Sequence, residues 1–213
     1  MRVYEIIANE RRALADVLDE LTPEQARKPS LCTGWSVQDV AAHLVMPLET
    51  GPPALALALL TARGDFDRAN RRLTARHSAR PLTELAGSLR RNAEHRFKLP
   101  GMGPEAPLTD LLVHGQDIRR PLGIDREFSE ERITLSLRFL TETRARGFVT
   151  SGRLHGLAFD ATDLDWSHGE GALVRGPAEA LLLSICGRPA GLAELRGDGT
   201  AVLRARLTES GSG

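Results

Sequence analysis

Apolar side chains at Ile6, Ile7, Leu14, Val17, Leu18 and Leu21 fall at helical spacing on one face, which predicts a long surface helix over residues 4–21. The connector "TPEQARKPS" carries a proline and ends it. In "LCTGWSVQDVAAHLV", residues 31–45, Ser36 stands at an N-cap position with Asp39 three residues on, a capping box with Asp replacing the usual Glu. A helix over 37–48 follows from it, closed or kinked by "MPLETGPP". Further helical patterns run over about 54–61, 81–97, 108–120 and 129–146, so the first two thirds of the chain is expected to be a helical bundle. The texture changes near Gly147. Short strand-like pieces separated by Gly and Asp lead into a helix over about 177–185, and "TAVLRARL", residues 200–207, reads as a last strand. The expected organisation is a helical bundle over 1–147, a small α+β domain over 148–208 and a flexible tail over 209–213. No internal repeat or low-complexity segment interrupts this layout.

Composition narrows the class. The 213 residues, 41% of them apolar, can supply a globular core. Lys and Arg total 28 against 28 for Asp and Glu, so no overall field draws the molecule to nucleic acid or an anionic membrane. The longest apolar run, "PPALALALLTA", falls short of the ~20 residues of a membrane span, and the N-terminus lacks the layout of a signal peptide. Two cysteines, Cys32 and Cys186, are too few for a disulfide framework and form no CxxC pair. A cytoplasmic protein is expected, with neither nucleic acid nor membrane as partner.

The candidate chemistry lies in two helices. In "APLTDLLVHGQDIRRPLG", Asp110 and His114 are four residues apart and project from one helical face, with Asp117 a further turn along. A carboxylate and an imidazole so placed can share a metal ion, and His43 from the helix over 37–48 can supply a third ligand, leaving a fourth position open as in catalytic zinc sites. The plainer alternative is a chance pair on a solvated face, with His43 and His114 as satisfied core residues. Apolar neighbours weigh against solvation: Leu111, Leu112, Val113 and Ile118 flank the one pair, and Ala41, Ala42, Leu44 and Val45 flank His43. Sequence spacing does not show that the two helices face each other.

Three segments together carry a family resemblance. "CTGWSVQDVAAHLV" resembles the motif opening the second helix of the mycothiol-dependent maleylpyruvate isomerases, a branch of the DinB-like metal-dependent bundle proteins. "DLLVHGQDIRRPLG" is similar to that family's second motif, and "GALVRGPAEALLLSICGRP" to its C-terminal domain, where a strand leads through Arg-Gly-Pro into a helix ending Gly-Arg. The pieces fall in family order and span most of the chain; residues 51–99 match only as helical filler. The resemblance implies a DinB-like four-helix bundle followed by a small α+β domain. It implies His43, Asp110 and His114 as ligands of a divalent metal, zinc being expected. One departure is the Asp at 110, where the family usually has Glu; the shorter side chain predicts longer, water-mediated or weaker ligation. Asp117 matches the family's following Asp and suits an acceptor for an imidazole N–H of His114 or His43, or else caps a polar face with Arg120.

The activity implied by the resemblance uses mycothiol as cosubstrate, its sulfur held by the metal as thiolate near neutral pH. That thiolate adds to the cis double bond of maleylpyruvate, rotation follows about the resulting single bond, and departure of the thiol gives the trans product, with no protein nucleophile. A thiol S-transferase acting on another electrophile is the sister reading. An acidic substrate calls for guanidinium partners; Arg175 in "VRGP" and Arg188 in "CGRP" are the candidates, equally readable as surface arginines beside turns. Cys32 is expected in the core. Trp35 reads either as a pocket wall or as packing at the helix start. His77 and His95 are expected to be solvated, His155 and His168 to lie in strands or turns, and Arg71, Arg72 and Arg76 on an exposed helix face. Two rivals stand beside the enzyme: a metal-binding or sensor module without turnover, and a helical protein without metal.

Overall fold

The computed structural model describes residues 2–96, 101–143 and 145–210. Contacts divide the chain into two compact units, Met1–Arg126 and Glu127–Gly213.

The first unit is helical. Helix α1 (Arg2–Glu20) buries Ile6, Ile7, Leu14 and Leu18, and a short α2 (Pro23–Ala26) follows within the proline-bearing connector. There the Thr22 side chain accepts from the Gln25 N–H and the Gln25 side chain accepts from the Thr22 N–H, a capping box at the start of α2. Helix α3 (Val37–Glu49) starts as expected: the Asp39 N–H donates to Ser36 Oγ at 3.2 Å and the Ser36 N–H to Asp39 Oδ2 at 2.9 Å. Pro47 lies within its last turn without ending it. Helices α4 (Pro52–Thr61), α5 (Phe66–Ser78), α6 (Leu82–Arg91) and α7 (Glu105–Arg119) complete the unit. Of these, α5 was legible only as the helix face carrying Arg71, Arg72 and Arg76, all exposed, and α6 ends at Arg91, short of the expected 97, which lies outside the described residues. Helix α1 packs on α6 and α7, and α3 on α5, α6 and α7. Helix α7 is buried on nearly every side from Ala106 to Arg119, as the central helix of such a unit must be.

In the second unit, α8 (Glu130–Glu142) packs on α9 (Ala178–Ile185). This corrects the expected boundary at 147: α8 belongs with the C-terminal unit because Ile133, Leu137, Phe139 and Leu140 form an apolar face that the sequence shows without showing its partner. Strands β1 (Leu157–Ala161), β2 (Ser167–His168) and β3 (Ala172–Gly176) form a sheet in the order β2-β1-β3, with β1 antiparallel to β2 and parallel to β3. Alternate residues of β1, namely Leu157, Phe159 and Ala161, are buried beneath α9. Asp163 Oδ1 accepts from the Ala178 N–H at 2.8 Å and caps α9. The expected strand over 200–207 is instead α10 (Gly199–Ser210), lying on β3. "TAVLRARL" fits both periods; Leu203 and Leu207, one helical turn apart, are buried, whereas Ala201 and Ala205 of the strand face are exposed. Of the expected tail, Glu209 and Ser210 belong to this helix and 211–213 lie outside the described residues.

Burial raises the Asp39 carboxyl, but hydrogen bonds from the Ser36 side chain and backbone outweigh this and hold it below the ordinary value. A depressed folded-state carboxyl contributes stability above its unfolded pKa and loses it as pH falls through the folded value. Asp39→Asn is therefore expected to lower Tm at neutral pH and to flatten part of the acid-side fall. Thermal melts over the carboxylate range check this, and parallel profiles for both proteins would refute it.

Candidate metal centre

The site is built on α3 and α7, which pack against each other. In α7, Pro107 sits in the first turn, where its missing N–H costs nothing, and Thr109 Oγ donates to the Glu105 carbonyl at 2.8 Å. Downstream, Asp110, His114 and Asp117 recur at one-turn spacing. Asp117 is fully buried, so its carboxylate needs partners: His114 Nδ1 is 2.7 Å from Asp117 Oδ2. That bond fixes the ring and leaves Nε2 as the atom facing Asp110, 3.5 Å from its Oδ1.

His43, from α3, completes the group. Its Nε2 lies 3.9 Å from the same Asp110 Oδ1, and its ring meets that of His114 edge-on at 4.8 Å between centroids. One donor atom from each of the three residues lies within 4.8 Å of the others. These N–O separations are long for hydrogen bonds, but donors around a tetrahedral ion with ligand distances near 2.1 Å stand roughly 3.4 Å apart. The donor set, two imidazoles and a carboxylate, is that of a divalent transition-metal ion, and the short Asp110 side chain reaches both imidazoles. The residues present fit such an ion. His114 is buried, its side chain 11% exposed, while His43 at 16% and Asp110 at 29% are half-buried, which leaves the cluster reachable on the Asp110 side.

The segment before α3 closes the other flank. The Leu31 N–H donates to the Asp117 carbonyl at 3.2 Å, and the turn that follows, with Gly34 at φ +79°, presents Trp35 edge-on to His43 at 5.2 Å. His43 Nδ1 is buried beside Trp35 and has no hydrogen-bond partner among the described residues. Next to His114, a side chain on Gly115 would place its Cβ 2.6 Å from Arg119 Nη1; glycine lets that buried guanidinium lie along the helix.

The remaining sequence candidates lie elsewhere. Arg175, on β3, is exposed and pairs with Asp160 of β1 at 2.9 Å; Arg188 donates to the Cys186 carbonyl at 2.8 Å, and both belong to the second unit. Cys32 is half-buried rather than in the core, and His95 and His155 are exposed. His168 lies in β2, stacked on Trp166. His77 departs from expectation. It is half-buried, with Nδ1 3.1 Å from the Leu73 carbonyl and Nε2 3.7 Å from Glu49, because α3 and α5 pack together there. The arginine-rich sequence around it hid that contact.

Together these features define a two-part protein: a helical unit carrying a buried His/Asp donor cluster between two of its helices, followed by a small α+β unit. The chain belongs to the family described as mycothiol maleylpyruvate isomerase N-terminal domain, whose model matches residues 7–119, a stretch that includes His43, Asp110, His114 and Asp117. Among solved structures, the chain is similar to one titled "Crystal structure of the mycothiol-dependent maleylpyruvate isomerase", with a TM-score of 0.57 and 14% identity over 93% of this chain and 91% of that one. That likeness establishes the fold, the DinB-like helical part followed by a small α+β part. No curated protein sequence matches the chain. None of the described helices is long and apolar enough to cross a membrane.

Proposed function

We propose that the protein is a divalent-metal-dependent enzyme using mycothiol, either a maleylpyruvate isomerase-like cis–trans isomerase or a thiol S-transferase, with His43, Asp110 and His114 as ligands. The observation that carries this reading is the meeting of three donors from two helices, with one imidazole already oriented by a buried carboxylate. A divalent ion held there, zinc by its affinity for imidazole and carboxylate, would favour the thiolate form of a coordinated thiol at neutral pH. The chain's own residues prepare the site. Asp117 accepts a hydrogen bond from the Nδ1–H of His114 and so turns Nε2 toward Asp110; Trp35 walls the His43 side against water; Asp110 keeps the open side polar. Arg175 and Arg188 are the guanidiniums proposed for an acidic substrate. Each already spends donors within its own unit, so a substrate carboxylate must share or replace those bonds. Neither Cys32 nor Cys186 is in a disulfide among the described residues, which suits the proposed cytoplasmic setting.

Asp117→Asn is expected to weaken metal binding about 10- to 100-fold, measured by competition with a chelator; unchanged affinity would remove Asp117 from the site. The activity itself is tested by following maleylpyruvate and a panel of other electrophiles with and without mycothiol, on metal-loaded and chelated protein. Turnover that needs both metal and thiol is the expected result. Metal binding without thiol-dependent turnover on any of them would leave a binding module in place of the enzyme.

A further inference from the structure

A second concave site lies wholly within the C-terminal unit. A cavity of about 240 Å³ opens among Phe148, Val149, Thr150, Arg153 and Cys186. Its one charged wall is Arg153, which is only 7% exposed. The guanidinium donates from Nη1 to the Ile185 carbonyl at 3.1 Å and from Nη2 to Thr150 Oγ at 2.8 Å, while Nε has no acceptor among the described residues. Burial pulls the group below its ordinary pKa; Cys186 opposes this and Arg188 reinforces it, and among the described residues no carboxylate pairs with it. A cation buried this deeply normally has an anionic partner.

Capping of α9 does not account for the charge. The helix closes without Arg153: the Cys186 N–H donates to the Leu182 carbonyl at 3.1 Å, the Arg188 N–H to Leu183 at 2.9 Å and the Gly187 N–H to Ser184 at 3.1 Å, a Schellman arrangement. Arg153 adds one bond, to Ile185, and the partial negative charge of a helix end offsets only about half a unit. Gly187, at φ +91°, keeps the space beside the guanidinium open, since a Cβ there would lie 3.1 Å from Nη1 and 3.4 Å from Nη2. The guanidinium has five N–H donors and spends two on neutral acceptors.

We propose that this cavity binds a small carboxylate, held by Arg153 with the Thr150 hydroxyl beside it. The planar fork matches a carboxylate, Phe148 and Val149 offer apolar wall for a short carbon skeleton, and the volume, below the 300–1,000 Å³ of drug-sized pockets, suits a ligand of a few carbons. The proposal does not depend on the metal centre, none of whose residues belongs to this unit.

The test is calorimetric titration of succinate, with inorganic phosphate in parallel, into the full-length protein after dialysis against chelator. Saturable one-to-one binding of succinate, tighter than that of phosphate, is expected. Arg153→Gln should weaken it about tenfold or more, the loss of a charge-assisted bond. Val149→Trp, which fills the cavity while leaving the guanidinium and its bond to Ile185 in place, should weaken it similarly and decides the matter if Arg153→Gln fails to fold. His43→Ala should bind succinate as the wild type does. Absence of saturable binding, phosphate binding as tightly as succinate, full affinity in Val149→Trp, or loss of binding in His43→Ala would each overturn the assignment.

Discussion

Alanine at His43 or at His114 is expected to remove stoichiometric divalent metal from the purified protein and to lower thiol-dependent turnover by at least about a hundredfold. Loss of a ligand must exceed the 10- to 100-fold effect of losing a second-layer partner, because two remaining donors cannot hold an ion against water. The two variants separate in stability. His43 has no partner at Nδ1, so its removal forfeits packing against Trp35 and His114 but no bond at that atom. His114 holds the fully buried Asp117 carboxylate at 2.7 Å, and its removal takes away that bond, costing on the order of 1–3 kcal/mol more. Metal analysis, turnover and thermal melts on the same preparations test both statements. Retention of one metal per chain in either variant would contradict the ligand assignment, and equal melting temperatures would contradict the role of the His114–Asp117 bond.

Arg11→Leu is expected to destabilise the protein by about 3 kcal/mol or more in chemical denaturation, with Arg11→Lys falling between. Arg11 lies on the packed face of α1, 2% exposed, and a single Nη1 reaches the carbonyls of Asn92, Ala93 and His95 at 3.0, 2.9 and 2.7 Å. These carbonyls follow the end of α6, where, among the described residues, only the Asn92 carbonyl of the three has a backbone donor, the His95 N–H at 3.0 Å. Burial pulls the guanidinium down to about 10, partly opposed by Glu94, so the group bears a real desolvation cost that its three acceptors offset. Leucine would fill the volume and take the guanidinium donor from the Ala93 and His95 carbonyls, the Asn92 carbonyl keeping the His95 N–H at 3.0 Å; losing one side of a buried hydrogen bond is the more expensive half. Lysine keeps the charge but cannot place donors in the same plane. An unchanged denaturation midpoint in Arg11→Leu would show that water replaces the guanidinium at no cost.

The same residue shows where reading the chain reaches its limit. Arg11 is four residues after Ile7 and three before Leu14, so helical spacing already places it on the apolar face of α1. What it meets there, the end of α6 some eighty residues away, is not written in any local pattern. His43 is a similar case. Its helix, its capping box and its position among apolar neighbours were legible, and the family resemblance pointed to its partners, yet only the packing of α3 on α7 brings Nε2 to 3.9 Å from Asp110. The sequence allows Asp117 to serve His114, His43 or a polar cap with Arg120; in the structure it is buried, with Oδ2 2.7 Å from His114 Nδ1. Arg153 gave no signal among the other arginines, since burial alone distinguishes it.

The sequence by itself determined the start of α3, the helical character of most of the first 126 residues, and the common face of Asp110, His114 and Asp117, though α7 begins at Glu105, three residues before the expected 108. Each of these rests on hydrogen bonds and side-chain directions within a few residues of one another. Tertiary structure alone decided that α8 packs on α9, that residues 200–207 wind into a helix on β3, and that His43 faces α7. An apolar face records that a segment must be covered; the identity of the covering element, and the choice between two periods that both satisfy "TAVLRARL", depend on contacts made far along the chain.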